Sequence, residues 1–297
     1  MCNISYMRAV ICLICLHVFL LITFAQSVAQ HLQDISVTIK SNNSEGSGVL
    51  FTRKDSKGNN INLVWTAGHV VDGLRSTREV ISSDGSKKTI VEFQDAKVIK
   101  QILEDGRIIG RLELDAEIIK FSDSDNGQDL ALLRLRKKNF VDSTVVFYLD
   151  KKIPELGTEL YHVGSLLGSV GANSMTSGIY SQHGRLINKT IFDQTTVIAF
   201  PGSSGGGVFQ KDGKYLAMLV RGSGEAFNLV IPIRRIVEWA DKLKIMWAID
   251  PLVVMPTDDE LKLMSIEDAG FDFDKNKKEK KGDNKEFPTL INNIERK

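Results

Sequence analysis

Apolar positions along residues 35–140 fall in short runs: ISVTIK, GVLFT, INLVWTA, TIVEF, RIIGRLEL and LALLRL. KDSKGNN, SSDGSKK, EDGR and SDSDNGQD separate them and are rich in Gly, Asn, Asp and Ser. Short β-branched and aliphatic runs bounded by such residues predict strands joined by tight turns. A second series runs from about Thr144 to Pro232 and includes STVVFYL, TELYHVG, MTSGIYS, TTVIAF, GGVFQ, YLAMLV and NLVIP. Many short strands with almost no helical periodicity point to sandwiches or barrels. The period changes after Pro232. In IRRIVEWADKLKI, residues Ile233, Ile236, Val237, Ala240 and Leu243 share one face, which predicts an amphipathic helix over 233–245. The expected organisation is a first β-rich half at about 35–140, a second at about 144–232 and the closing helix, all within a domain spanning 30–248. Residues 249–297 are expected to form a disordered tail, because their DKNKKEKKGDNKE run is charged and poor in apolar residues.

The first residues follow another pattern. Arg8 precedes the apolar run AVICLICLHVFLLITF, and the small-residue stretch TFAQSVAQ follows it. This is the layout of a signal peptide over 1–29, cut after Ala29 or after Ala25. An uncleaved anchor is the alternative, although the run is shorter than the roughly 20 residues a span usually needs. The expectation is export to a periplasm or the exterior, with no stable membrane association after cleavage. Cys2, Cys12 and Cys15 all lie in this segment, so the mature chain would carry no cysteine. Its basic and acidic residues would balance, which gives no electrostatic reason to expect nucleic acid as a partner.

The segment FPGSSGGGVF carries the most specific chemistry. A hydroxyl that projects from a tight glycine loop is well placed for nucleophilic attack, and the loop N–H groups can converge on one point. Ser204 is the candidate nucleophile, with the N–H groups of Gly202 and Ser204 as the candidate oxyanion hole. A Gly/Ser-rich hairpin turn has the same composition. A serine needs a positioned base. His69 ends an apolar strand in LVWTAGHVV, whereas His162 and His183 have no acidic neighbour in sequence and are read as structural or surface residues. The base needs an acid to fix its tautomer. Asp129 opens DLALLRL and could be anchored against a core; Asp115, Asp123 and Asp125 compete for the role from polar settings. The chain order His, Asp, Ser differs from that of subtilisins and of α/β-hydrolases. No His, Cys and acid cluster has metal-ligand spacing, and no cofactor is expected.

These segments together resemble the trypsin-like serine proteases, and more narrowly the HtrA/Deg type. GSGVLFT (46–52), SGIYSQHGR (177–185) and NLVIPIRRI (228–236) carry the narrower likeness. The resemblance covers about residues 35–245. It implies an all-β fold of two six-stranded antiparallel β-barrels with a C-terminal helix and the active site between the barrels. It also implies peptide-bond hydrolysis in polypeptide substrates through an acyl-enzyme. A catalytically silent binding module is the alternative, but such homologues typically lose a triad residue or an oxyanion glycine, and none is lost here. Ser203 stands where trypsins carry the acid that pairs with a freed N-terminus, so activation by terminal insertion is not expected. The residues after 248 are too few for the PDZ domain usual in HtrA proteases. Residues 75–120 look like a charged insertion of strands or loops at the rim.

In this fold the residues before the nucleophile loop and the strand after it line the primary pocket. By register these include Ile198, Ala199 and Phe200 on one side and Ala217, Met218, Leu219 and Val220 on the other. No acid lies among them, so a buried cationic substrate side chain would go unpaired. The expected preference is for small or medium aliphatic residues in unfolded chains. Arg221, just beyond, could instead favour an acidic one.

Overall fold

A computed structural model describes residues 27–268, apart from 43, 56, 105, 189 and 223–225. Most of the expected signal segment and the end of the expected tail lie outside the described residues. Helix α1 (Val28–Asp34) is capped by Ser27, whose hydroxyl accepts the Gln30 N–H in a capping box. Leu32 on this helix is fully buried. The cut expected after Ala29 falls inside α1, whereas the one after Ala25 precedes its cap.

The first barrel begins with β1 (Ser36–Lys40), β2 (Glu45–Lys54) and β3 (Asn60–Thr66). The one-turn helix α2 (Gly68–Val71) follows, then a hairpin of β4 (Arg75–Ile81) and β5 (Lys87–Phe93) that forms a separate two-stranded sheet. β6 (Ala96–Glu104), β7 (Arg107–Ser122) and β8 (Leu130–Leu135) complete a closed barrel in the order β1-β2-β3-β8-β7-β6. The stretch 75–120 is therefore only partly a rim insertion, since β6 and β7 are two of the six barrel strands. At their far ends Ile102, Ile108, Ile109 and Leu112 are exposed.

β3 explains why INLVWTA lacks alternation. Ile61, Leu63, Val64 and Trp65 are all at most 2% exposed, because one face fills the barrel and the other is covered by later chain. Trp65 Nε1 donates to the Ala248 carbonyl at 3.2 Å, and its ring meets Trp239 edge-on.

The second barrel comprises β9 (Glu159–Leu166), β10 (Gly171–Ile187), β11 (Thr190–Thr195), β12 (Gly207–Gln210), β13 (Tyr215–Gly222) and β14 (Asn228–Pro232), closed as β10-β11-β14-β13-β12-β9. Pro232 ends β14 and starts α3 (Ile233–Lys242). Its fixed φ suits the N-terminal boundary of a helix, and its missing N–H costs nothing there. α3 buries Ile233, Ile236 and Ala240 as expected, and also Arg235 and Trp239.

The boundary expected near residue 249 lies too early. After Ile249 the chain runs back over the first barrel and forms α4 (Asp258–Leu263), capped by Thr257 and Glu260. Met255 and Leu261 are buried, and Asp258 accepts from Arg134 at 2.9 Å. Residues 266–268 bond to the end of β7: Phe121 N–H donates to Ile266 O at 2.8 Å, and Asp268 N–H to Phe121 O at 3.3 Å. The apolar residues that pay for this docking are few and widely spaced, so the charged run beyond them masked the signal.

Candidate active site

The chain leaves β3 and enters α2 directly, which puts His69 at the mouth of the first barrel. Opposite it, β7 ends at Ser122 and a tight loop leads to β8. The Asp123 carboxylate accepts the N–H groups of Asp125 and Asn126 at 2.8 and 2.9 Å, closing an Asx turn. Ser122 Oγ accepts the Gln128 N–H at 2.6 Å. Asp129 then adopts φ 57°, a left-handed conformation that Asp tolerates better than most residues.

This loop delivers the Asp129 carboxylate to His69. Nδ1 lies 3.0 Å from each carboxylate oxygen, and the His69 backbone N–H donates to Oδ1 at 2.9 Å. The carboxylate is almost fully buried, while the imidazole is about one-third exposed. An acceptor at Nδ1 favours the tautomer that leaves Nε2 with the lone pair. Of the competing acids, Asp115 pairs with Lys97, and Asp123 and Asp125 belong to the loop itself. His162 is fully buried with Nδ1 2.9 Å from Gly207 O, and burial pushes its pKa down to about 4.

Ser204 comes from the second barrel, on the loop before β12. The loop is seated on β2 by Ser47. The Ser47 N–H donates to Ser204 O at 2.7 Å, and its Oγ donates to Gly202 O and accepts from the Ser165 N–H, both at 2.7 Å. Gly46 lies between Val70 and the Ser204 carbonyl, and a side chain there would collide with Val70. Val70 follows His69, so the glycine lets the chain next to His69 approach the backbone of Ser204 closely. The Ser204 hydroxyl donates to Val220 O at 3.3 Å.

The loop N–H groups divide into two kinds. Those of Ser203, Gly205 and Gly206 donate to Phe200 O, Leu219 O and Ser203 O at 2.9, 2.8 and 3.0 Å. Among the described residues, those of Gly202 and Ser204 have no acceptor. Pro201 O accepts the Leu167 N–H at 2.7 Å. In a trans peptide the C=O and the following N–H point oppositely, so the Gly202 N–H faces away from Leu167. Gly202 holds φ +95°, a region that disfavours any residue with a side chain.

The expected pocket is only partly as read from sequence. Ile198 and Phe200 are half-exposed and Ala199 is partly buried, but Ala217, Met218, Leu219 and Val220 are all within the core and at most 3% exposed. β13 is covered on both faces, so these four side chains do not open to solvent. Val220 presents its carbonyl instead. The wall facing 197–200 is made by the end of the strand, where Gly222 pairs with Asn228. Asn228 Nδ2 donates to Val197 O at 2.5 Å, and its buried Oδ1 lies beside Gly222 without a partner. Arg221 stacks over the Phe192 ring at 5.4 Å. It lines a polar cavity of about 230 Å³ with Gln128, Asp129 and Arg235.

Several residues that shape the site escaped sequence reasoning. Arg235 reaches from α3 to the Asp129 loop and donates to Gln128 O at 3.0 Å and Gln128 Oε1 at 3.2 Å. Burial pushes its pKa down to about 10, which still leaves it charged at neutral pH. A charged residue inside a helix reads as solvent-facing, so the only signal was its place beside the apolar stripe. Ser47 had a signal in GSGV, where the two flanking glycines mark a close backbone approach. Among the described residues, no group of three His, Cys, Asp or Glu is placed to hold a metal ion, and no helix is long and apolar enough to cross a membrane.

The profile of the trypsin-like peptidase domain matches residues 46–218, more than half of the chain. The chain belongs to the trypsin-like peptidase family. It is 29% identical over 180 residues to the serine protease Do-like HtrA of Lactobacillus helveticus, covering 59% of this chain and 35% of that protein. It is 31% identical over 176 residues to a probable periplasmic serine endoprotease DegP-like of Halomonas elongata, covering 56% and 34%. The chain thus spans about a third of the length of these curated relatives. In fold it is similar to the crystal structure of Deg5, with a TM-score of 0.52, 21% identity, and coverage of 75% of this chain and 94% of that one. The two-barrel architecture of this trypsin-like peptidase is thus shared with a Deg-type neighbour.

Proposed function

We propose that this trypsin-like peptidase is an exported serine endopeptidase in which His69, Asp129 and Ser204 act as one catalytic unit. The observation that carries the proposal is the pair of free N–H groups, Gly202 and Ser204, on the loop that bears the serine, together with the buried Asp129 carboxylate held against the ring of His69. In the reaction, Ser204 Oγ turns from Val220 O to His69, which takes its proton as Oγ attacks the peptide carbonyl. The oxyanion is received by the Gly202 and Ser204 N–H groups. The imidazolium, stabilised by Asp129, then protonates the leaving amine, and water repeats the sequence on the acyl-enzyme. Ser203 is fully buried and its hydroxyl accepts the Phe200 N–H at 3.1 Å. The loop is held without an ion pair to a new N-terminus, which supports activity that needs no cut beyond signal removal. The proposed substrates are unfolded polypeptides.

The primary pocket is proposed to take small or medium aliphatic residues, because Asn228 fills the space beside Gly222 and, among the described residues, no acid lies in 197–200 or 217–222. Asn228→Gly is expected to widen the preference toward large aliphatic and aromatic residues. Digestion of a denatured protein, with sites read by mass spectrometry, checks this. Dominant cutting after Lys or Arg would refute the pocket, and an unchanged preference in Asn228→Gly would remove Asn228 from its wall.

A further inference from the structure

The direction of the Gly202 N–H depends on one peptide plane, and that plane is held from outside its own loop. Its carbonyl, Pro201 O, accepts from Leu167 N–H at 2.7 Å. Leu167 and Gly168 both lie in the left-handed region, at φ 62° and 67°. Leucine disfavours that conformation, and the Leu167 side chain is 58% exposed, so packing does not impose it. The restraint comes one residue later. Glu45, the first residue of β2, accepts the Ser169 N–H at 2.6 Å and the Ser169 hydroxyl at 3.0 Å. Its carboxylate lies against Gly168, where a side chain would collide with Oε2. Lys40 holds the other side of the carboxylate at 2.9 Å. Burial raises the Glu45 pKa, but the bonds from Lys40 and Ser169 outweigh it, and the carboxylate is held below its ordinary range.

We infer that Glu45 is a positioning residue for the oxyanion hole. The inference rests on the proposed role of Gly202. The chain of restraint runs from the Glu45 carboxylate to Ser169, through the left-handed turn to the Leu167 N–H, and then to Pro201 O. A trans peptide transmits the orientation to the Gly202 N–H. Glu45 never touches substrate. It does from the first barrel what the loop cannot do from within, because Ser203 beside the nucleophile carries no charge to anchor it. Glu45 is two residues from Ser47, which pins Gly202 O, so one strand end fixes both peptide groups of Gly202.

The test uses the full chain with Glu45→Gln, Glu45→Ala and, as control, Lys87→Met on the outlying β4–β5 hairpin. Turnover of a peptide cut by the wild type gives kcat and KM. A peptide boronic acid reports on the hole, because its adduct with Ser204 places an oxygen there. Glu45→Gln is expected to lower kcat about 10- to 100-fold, somewhat less than removing an oxyanion donor outright. KM should change less than about twofold, since ground-state binding is untouched. Boronate affinity should fall with kcat, Glu45→Ala should lose at least as much, and Lys87→Met should match wild type. A folded Glu45→Gln chain with wild-type kcat and boronate affinity overturns the inference. So does a Glu45→Gln chain that melts early and loses kcat and KM together, which marks a structural role only. If Glu45→Ala fails to fold, the near-isosteric Gln variant carries the result. A wild-type chain that neither cleaves peptide nor binds boronate sinks the proposed function itself, a different outcome from an active wild type indifferent to Glu45.

Discussion

Ser204→Ala and His69→Ala should each lower turnover by about four to six orders of magnitude, and the double variant should lose little more. The reason is mechanical. Without the imidazole the hydroxyl has no base, and without the hydroxyl the imidazole has no nucleophile to activate. Either change therefore removes the whole route, leaving the residual catalysis of the oxyanion hole and of substrate binding. Steady-state kinetics on a sensitive fluorogenic peptide, with both variants shown to be folded by circular dichroism, measures this. Additive losses in the double variant would mean that the two residues act independently, and would contradict the unit that the His69–Asp129 contact supports.

A chain ending at Asp250 should melt well below one ending at Asp268, which itself should match the full chain. Removing residues 251–268 uncovers the sites of Met255 and Leu261, and burial of two such side chains is worth about 4 kcal/mol at most. For a domain of this size that is a fall of about 10 °C in Tm. Activity should fall as well, because the Asp268 carboxylate accepts from Ser122 Oγ at 2.7 Å and from Trp239 Nε1 at 3.0 Å. Ser122 Oγ in turn receives the Gln128 N–H next to Asp129. The terminal strap is thus tied to the loop that aims the carboxylate at His69. Calorimetry and peptide turnover on the two truncated chains check both effects. Equal melting temperatures would mean that the strap contributes nothing.

What could be read in advance follows a physical divide. Strands, the closing helix and the order His69, Asp129, Ser204 are local signals, carried by apolar runs, glycine loops and the residues between them. Asp129 was separable from Asp123 and Asp125 because LALLRL anchors it while their loop is polar. The primary pocket was not legible in the same way. Met218 and Leu219 read as a lining because the register of the resemblance puts their strand beside the nucleophile loop, but the fold covers both faces of β13. Glu45, Ser47 and Arg235 act through partners more than a hundred residues away in the chain, or on the far side of the barrel interface. No periodicity or spacing records such contacts. The strap at 251–268 failed for a third reason, since a few apolar residues can dock a charged segment when a complementary surface already exists.

The central claim is that Ser204 is an activated nucleophile, and a fluorophosphonate probe tests it most directly. Incubation of the purified chain should give one stoichiometric adduct by intact mass, and peptide mapping should place it on Ser204. Labelling should vanish in Ser204→Ala and slow by orders of magnitude in His69→Ala. No adduct on the folded chain, or an adduct mapped to Ser203 or another serine, would contradict the account.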